Sequence, residues 1–127
     1  MKTVVSSADA PAAIGPYSQA IAAGTLLFCS GQLPIAPITG DLVGGDISAQ
    51  TRQVFENMGA VLKSGGSSFA QVVKTTVFLT DLSDFGAMNR IYGEFFPDAA
   101  PARSTIQVAA LPKGARIEIE AVALKPS

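Results

Sequence analysis

Pro97-Asp98-Ala99-Ala100-Pro101-Ala102-Arg103-Ser104-Thr105-Ile106-Gln107-Val108 is the stretch whose reading decides the fold. Pro101 disfavours a helical residue before it and has no N–H to give a sheet. The run from Arg103 to Val108 is β-branched and alternating, which predicts a strand. The chain therefore leaves a helix at Pro97, turns, and enters a sheet at Arg103. An arginine at a strand entrance is open to two readings. It is a solvated surface head, or it presents a planar fork of donors to a carboxylate, which lysine's point charge cannot match.

The rest of the chain assembles around this junction. Upstream, Ser83 or Asp84 caps a helix whose apolar stripe is Phe85, Met88, Tyr92, Phe95 and Phe96. Before it, Ala70 to Leu79 reads as a strand. An earlier helix is capped by Asp46 or Ser48 and runs to about Lys63, with Val54, Phe55, Met58, Val61 and Leu62 at helical spacing and Gly65-Gly66 as its stop. Leu33 to Gly45 is a Pro/Gly-rich loop. Tyr17–Ala23 and Leu26–Gln32 form a hairpin across Ala23-Gly24-Thr25, Ser6 to Gly15 is loop, and Met1 to Val5 is a short first strand. Downstream, Leu111-Pro112-Lys113-Gly114 leads into a last strand, Arg116 to Leu124. The order β-β-β-α-β-α-β-β predicts an α+β fold over residues 1–127 as a single domain. Its core is one mixed sheet of five to six strands with two helices on one face.

Composition narrows the chemistry. There is no histidine and one cysteine, Cys29, so Ser-His and Cys-His nucleophiles, a usual zinc site and an internal disulfide are all excluded. A reducing, cytoplasmic setting is expected, with no membrane span. Nine basic against ten acidic residues give a net charge of -1 and no basic run, so no nucleic acid partner is expected. Charged residues make up 15% of the chain, against about 25% in typical soluble domains. With so few charges, and central strands apolar on both sides, part of the outside is expected to be buried in a symmetric oligomer.

Several residues could carry chemistry. In Ile117-Glu118-Ile119-Glu120-Ala121, strand alternation sends both carboxylates to one face, roughly 7 Å apart. They are a solvated strand face, or a like-charged pair with a perturbed pKa that orients water. Cys29-Ser30-Gly31-Gln32 ends an apolar strand. It is a bulged strand end, or a place where the Ser30 hydroxyl and the bare Gly31 backbone meet a ligand. Tyr17 after Gly15-Pro16 is a half-buried phenol or one aimed into a cleft. Asn89 lies beside the apolar stripe of the second helix.

These blocks, taken together, resemble a known family. Ala13-Ile14-Gly15-Pro16-Tyr17-Ser18-Gln19-Ala20, Ser30-Gly31-Gln32, Val73-Lys74-Thr75-Thr76-Val77-Phe78-Leu79, Pro101-Ala102-Arg103-Ser104 and Ile117-Glu118-Ile119-Glu120-Ala121 look like the signatures of the reactive intermediate deaminase (RidA/YjgF) family. The match runs in order over nearly the whole chain. The resemblance implies a chorismate-mutase-like subunit, a homotrimer with clefts between subunits, and no metal or organic cofactor. It implies hydrolysis of 2-imino and 2-enamino acids to 2-oxo acids and ammonia. Arg103 stands where the family clamps the substrate carboxylate, and Glu118 where it positions water. Tyr17, Ser30, Gly31 and Asn89 stand where it lines the pocket. Thr105 occupies a substrate-contacting position that is cysteine in many close relatives, so a thiol role there is lost. A different class of function remains open: the same cleft as a non-catalytic carboxylate-binding or partner-docking trimer. RNA cleavage, attributed to some relatives, is disfavoured by the charge balance.

Overall fold

A computed structural model describes residues 1–126. Six strands form one sheet: β1 (Lys2–Val5), β2 (Ala20–Ala23), β3 (Leu26–Gln32), β4 (Val72–Leu79), β5 (Ala102–Gln107) and β6 (Ile117–Leu124). Their spatial order is β1-β2-β3-β6-β4-β5. Neighbours are antiparallel except β4 and β5, which are parallel. The two helices are α1 (Ile47–Ser64) and α2 (Phe85–Phe95), and α2 is the crossover between the parallel strands. The expected α+β fold with a single mixed sheet and two helices is therefore what the chain adopts.

Local chemistry explains most boundaries. Asp46 accepts from the Ala49 N–H at 3.0 Å and caps α1, and the chain turns out at Gly65 and Gly66, the latter at φ 76. Val54, Phe55, Met58, Val61 and Leu62 are all fully buried, so the apolar stripe read from spacing is the core face of the helix. Three expectations need correcting. The hairpin strand begins at Ala20, not Tyr17, because the buried Gln19 side chain gathers the preceding loop: its Oε1 accepts from Ser7 N–H at 2.6 Å and its Nε2 donates to Pro11 O at 2.7 Å. The strand expected from Ala70 begins at Val72, since Phe69–Gln71 coils into a 3-10 turn. Asp84 stands at the N-cap of α2, as expected, but neither its side chain nor that of Ser83 makes a capping hydrogen bond there. Leu82–Asp84 is a 3-10 turn whose Asp81 caps Ser83 N–H at 2.9 Å, and Asp84 instead accepts from Arg116 Nη2 at 2.8 Å.

Register assigns every sheet residue to a face. Ile117, Ile119, Ala121 and Ala123 of β6 are buried with the helices, and Thr75, Val77 and Leu79 of β4 pair alongside them. Arg103 and Thr105 of β5 pair with Thr75 and Val77, so they too lie on the helix side. Glu118 and Glu120 alternate with the buried isoleucines and lie on the other, open face. That open face also carries Val4, Ile21, Phe28, Phe78, Ile106, Val122 and Leu124, of which Phe28 and Ile106 are each 45% exposed. Among the described residues no helix is long and apolar enough to cross a membrane.

Phe55 is the hub between sheet and α2. Its ring stacks on Phe95 at 4.7 Å and meets the edges of Phe69, Tyr92 and Phe96 within 6.0 Å. Phe55→Ala is expected to destabilise the fold by about 3–5 kcal/mol through the cavity it leaves, read as a lower denaturant midpoint.

Candidate functional site

The residues singled out from sequence fall into two clusters on opposite faces of the sheet. The first sits at the β5 edge. Phe85, Asn89 and Tyr92 recur at i, i+4 and i+7 on α2, so one side of that helix carries all three. The Arg103 guanidinium lies along this side. Its Nη1 donates to Asn89 Oδ1 at 2.8 Å, and its central carbon stands 4.6 Å from the Tyr92 ring centre and 5.4 Å from that of Phe85. Asn89 occupies one of the five guanidinium donors, so the fork keeps donors for a further acceptor. Thr105 is two residues further along the same face of β5. Its hydroxyl is buried and has no hydrogen-bond partner among the described residues.

The second cluster surrounds a cavity of about 690 Å³. Tyr17, Ser30, Gly31 and Glu118 line it, together with apolar residues of two loops such as Ile14 and Ile38, and with Lys113. A bulge in β3 between Cys29 and Gln32 takes Ser30 and Gly31 out of the β6 ladder. Ser30 is then tied to the loop before β2, its hydroxyl donating to Ser18 O at 2.6 Å. Gly31 has a specific reason to lack a side chain: a Cβ there would collide with the Glu118 carboxylate. Tyr17 is 52% exposed, its ring open to a ligand.

Glu118 is half-buried, and burial raises its pKa above the usual glutamate range; the charge of Glu120 on the same face adds to the shift. The expectation of two carboxylates facing one way is met, though Glu120 lines a separate hollow of about 290 Å³ with Lys74 and Thr76. Cys29 is buried, which pushes its thiol up to about 11 and leaves it without thiolate character. Among the described residues no group of three His, Cys, Asp or Glu could hold a metal ion.

The family model described as Endoribonuclease L-PSP matches residues 7–125. The chain belongs to this family, also called RidA/YjgF. It is 53% identical over 125 residues to a RutC family protein of Pyrococcus horikoshii, covering 98% of this chain and 99% of that one. To the human 2-iminobutanoate/2-iminopropanoate deaminase it is 50% identical over 125 residues, covering 98% of this chain and 91% of that one. The crystal structure of E. coli TdcF with bound serine matches with a TM-score of 0.93 at 41% identity, over 98% of this chain and 99% of that one.

Sequence reading named Tyr17, Ser30, Gly31, Asn89, Arg103, Thr105 and Glu118. The structure groups Arg103, Asn89 and Thr105 at the sheet edge and the other four at the cavity. Within this RidA/YjgF chain the two groups do not meet, because Arg103 and Glu118 lie on opposite faces. From spacing alone Tyr92 and Phe85 read as core stripe; their i, i+7 spacing about Asn89 is the available signal that they support a polar group.

A raised folded-state pKa means the folded chain favours protonated Glu118, so its ionised form is a burden at neutral pH. Glu118→Gln is therefore expected to raise Tm at pH 7. The gain should vanish in acid, where the carboxyl is protonated in folded and unfolded chains alike. An unchanged Tm at pH 7 would contradict the assigned shift.

Proposed function

We propose that the protein hydrolyses 2-imino acids and their 2-enamino tautomers to 2-oxo acids and ammonia, in a homotrimer whose sites lie between subunits. Arg103 is the observation that carries this reading: a guanidinium fixed along one side by Asn89 and two aromatic rings, with donors left over for an acid. The 50% identity to a human 2-iminobutanoate/2-iminopropanoate deaminase supports the choice of substrate. A neighbour of the same fold holding serine, a small carboxylate bearing nitrogen on the adjacent carbon, is consistent with it.

The two clusters supply complementary halves. Arg103, Asn89 and Thr105 of one subunit hold the carboxylate; Tyr17, Ser30, Gly31 and Glu118 of the next subunit enclose the reacting carbon. An apolar open face with Phe28, Ile106 and Leu124 exposed gives the copies a surface to bury against one another. Burial against a neighbour also dries the site and strengthens the clamp.

The chemistry then needs no metal and no strong nucleophile, since the C=N carbon is already electrophilic. Arg103 pairs with the carboxylate and fixes the position of the imine. Glu118 takes a proton from a water as its oxygen attacks that carbon. Glu118 returns that proton to the nitrogen, giving a neutral carbinolamine; the hydroxyl proton then moves to nitrogen as well, the O–H electrons form the C=O bond as the C–N bond breaks, and ammonia leaves a 2-oxo acid. The description Endoribonuclease L-PSP names another chemistry. A chain without histidine and with a net charge of -1 favours a small acid over a polyanion.

The test generates 2-iminobutanoate in situ and follows 2-oxobutanoate release. Arg103→Ala is expected to lower kcat/KM by about a thousandfold, and Arg103→Lys by at least about tenfold, because the ammonium cannot form the fork. Glu118→Gln should remove the acid limb of the kcat/KM profile. In the native protein that limb marks activity lost as pH falls through the raised Glu118 pKa. Full activity in Arg103→Ala would refute the clamp. Carboxylate binding without turnover would favour a non-catalytic binding trimer instead.

A further inference from the structure

We infer that Tyr92, braced by Thr75, is a positioning residue that sets the orientation of the Arg103 fork. This rests on the carboxylate-clamp reading of Arg103 and assigns how the clamp is held.

An arginine side chain has several rotatable bonds, and a solvated one samples many orientations. Asn89 gives Arg103 one hydrogen bond, which fixes a point and not a plane. The plane is defined by what the guanidinium lies against, and the nearer of its two aromatic neighbours is Tyr92, at 4.6 Å. Phe85, at 5.4 Å, is 38% exposed and offers a looser wall.

The Tyr92 ring is itself immobilised. It is only 6% exposed and packs between Phe55 at 5.6 Å and Phe96 at 4.8 Å. Its phenol shares a 2.7 Å hydrogen bond with the hydroxyl of fully buried Thr75. Thr75 pairs in register with Arg103 across the parallel β4–β5 ladder. A closed circuit results: the strand residue opposite Arg103 anchors the phenol, the phenol orients the ring, and the ring supports the guanidinium that projects from the neighbouring strand. A leucine in place of Tyr92 would fill much of the space but give neither the π-face nor the anchor.

Binding of 2-oxobutanoate measured by titration calorimetry tests this without requiring turnover. Tyr92→Leu is expected to weaken binding about tenfold and to raise KM in parallel with a smaller change in kcat. Tyr92→Phe, which keeps the ring but loses the Thr75 anchor, should weaken binding by about threefold, between the native protein and Tyr92→Leu, and native affinity in it would remove Thr75 from the circuit. Phe69→Leu, a loss from the same aromatic cluster whose ring pairs with Phe55, Phe95 and Phe96 and supports neither Tyr92 nor Arg103, serves as the stability control and should leave Kd unchanged. In the Arg103→Lys background, where no fork remains to orient, Tyr92→Leu should have little additional effect.

Native-like affinity in Tyr92→Leu would overturn the inference. So would equal weakening in both backgrounds, or the same loss in Phe69→Leu, since each would mark a general packing defect. No binding of 2-oxobutanoate by the native protein would overturn it along with the clamp. Binding that depends on Tyr92 without any imine turnover would leave the positioning role standing and remove the deaminase reading alone.

Discussion

Successive side chains of a β-strand point to opposite sides of the sheet, and this alternation governs the functional geometry here. Ile117 and Ile119 must face the helices to complete the core, which sends Glu118 to the open face. Arg103 pairs in register with Thr75, whose side chain is buried beneath α2, so Arg103 is held on the helix side. No rotamer change carries a guanidinium around the sheet edge to a carboxylate on the reverse. An activity that needs both groups must recruit them from two copies of the chain. The exposed apolar residues on the open face supply a reason for those copies to associate.

Each half is built from core outward. At the β5 edge, the guanidinium rests on Tyr92, whose ring belongs to the Phe55 cluster, so the rigidity of a packed interior extends to a charged surface group. At the cavity, Gly31 and Glu118 are fitted to one another: the missing Cβ is the space the carboxylate occupies. Burial beside Glu120 makes ionised Glu118 unfavourable. That is the environment in which a carboxyl group accepts and returns protons near neutral pH more readily than a solvated one. Stability is given up at a position where the proposed reaction uses the result.

Much of this was legible in the sequence because local chemistry and tertiary packing agree. The stripe from Val54 to Leu62, the Gly65-Gly66 stop and the alternation in Ile117–Ala121 each point to one structure. Boundaries went astray where a side chain competed with the backbone pattern. Gln19 draws the Tyr17 segment out of the sheet, and Asp84 keeps the N-cap position of α2 while its carboxylate turns from capping to an ion pair with Arg116, distant in sequence. The sequence names the candidate residues, but not their division into two groups. That depends on strand order, and β6 lying between β3 and β4 follows from no local signal. The support of Arg103 by Tyr92 was hidden for a different reason: an aromatic residue on an apolar stripe reads the same whether its second neighbour is another ring or a cation.

Subunit mixing tests the central claim most directly. Arg103→Ala and Glu118→Gln chains, each with only residual activity alone, are co-expressed or refolded together and assayed for 2-oxobutanoate release. If Arg103 of one subunit works with Glu118 of the next, random assortment in a three-membered ring restores about a quarter of the native sites. If a single chain supplies both groups, every site in every mixture lacks one of them, and the mixture would stay as inactive as its components.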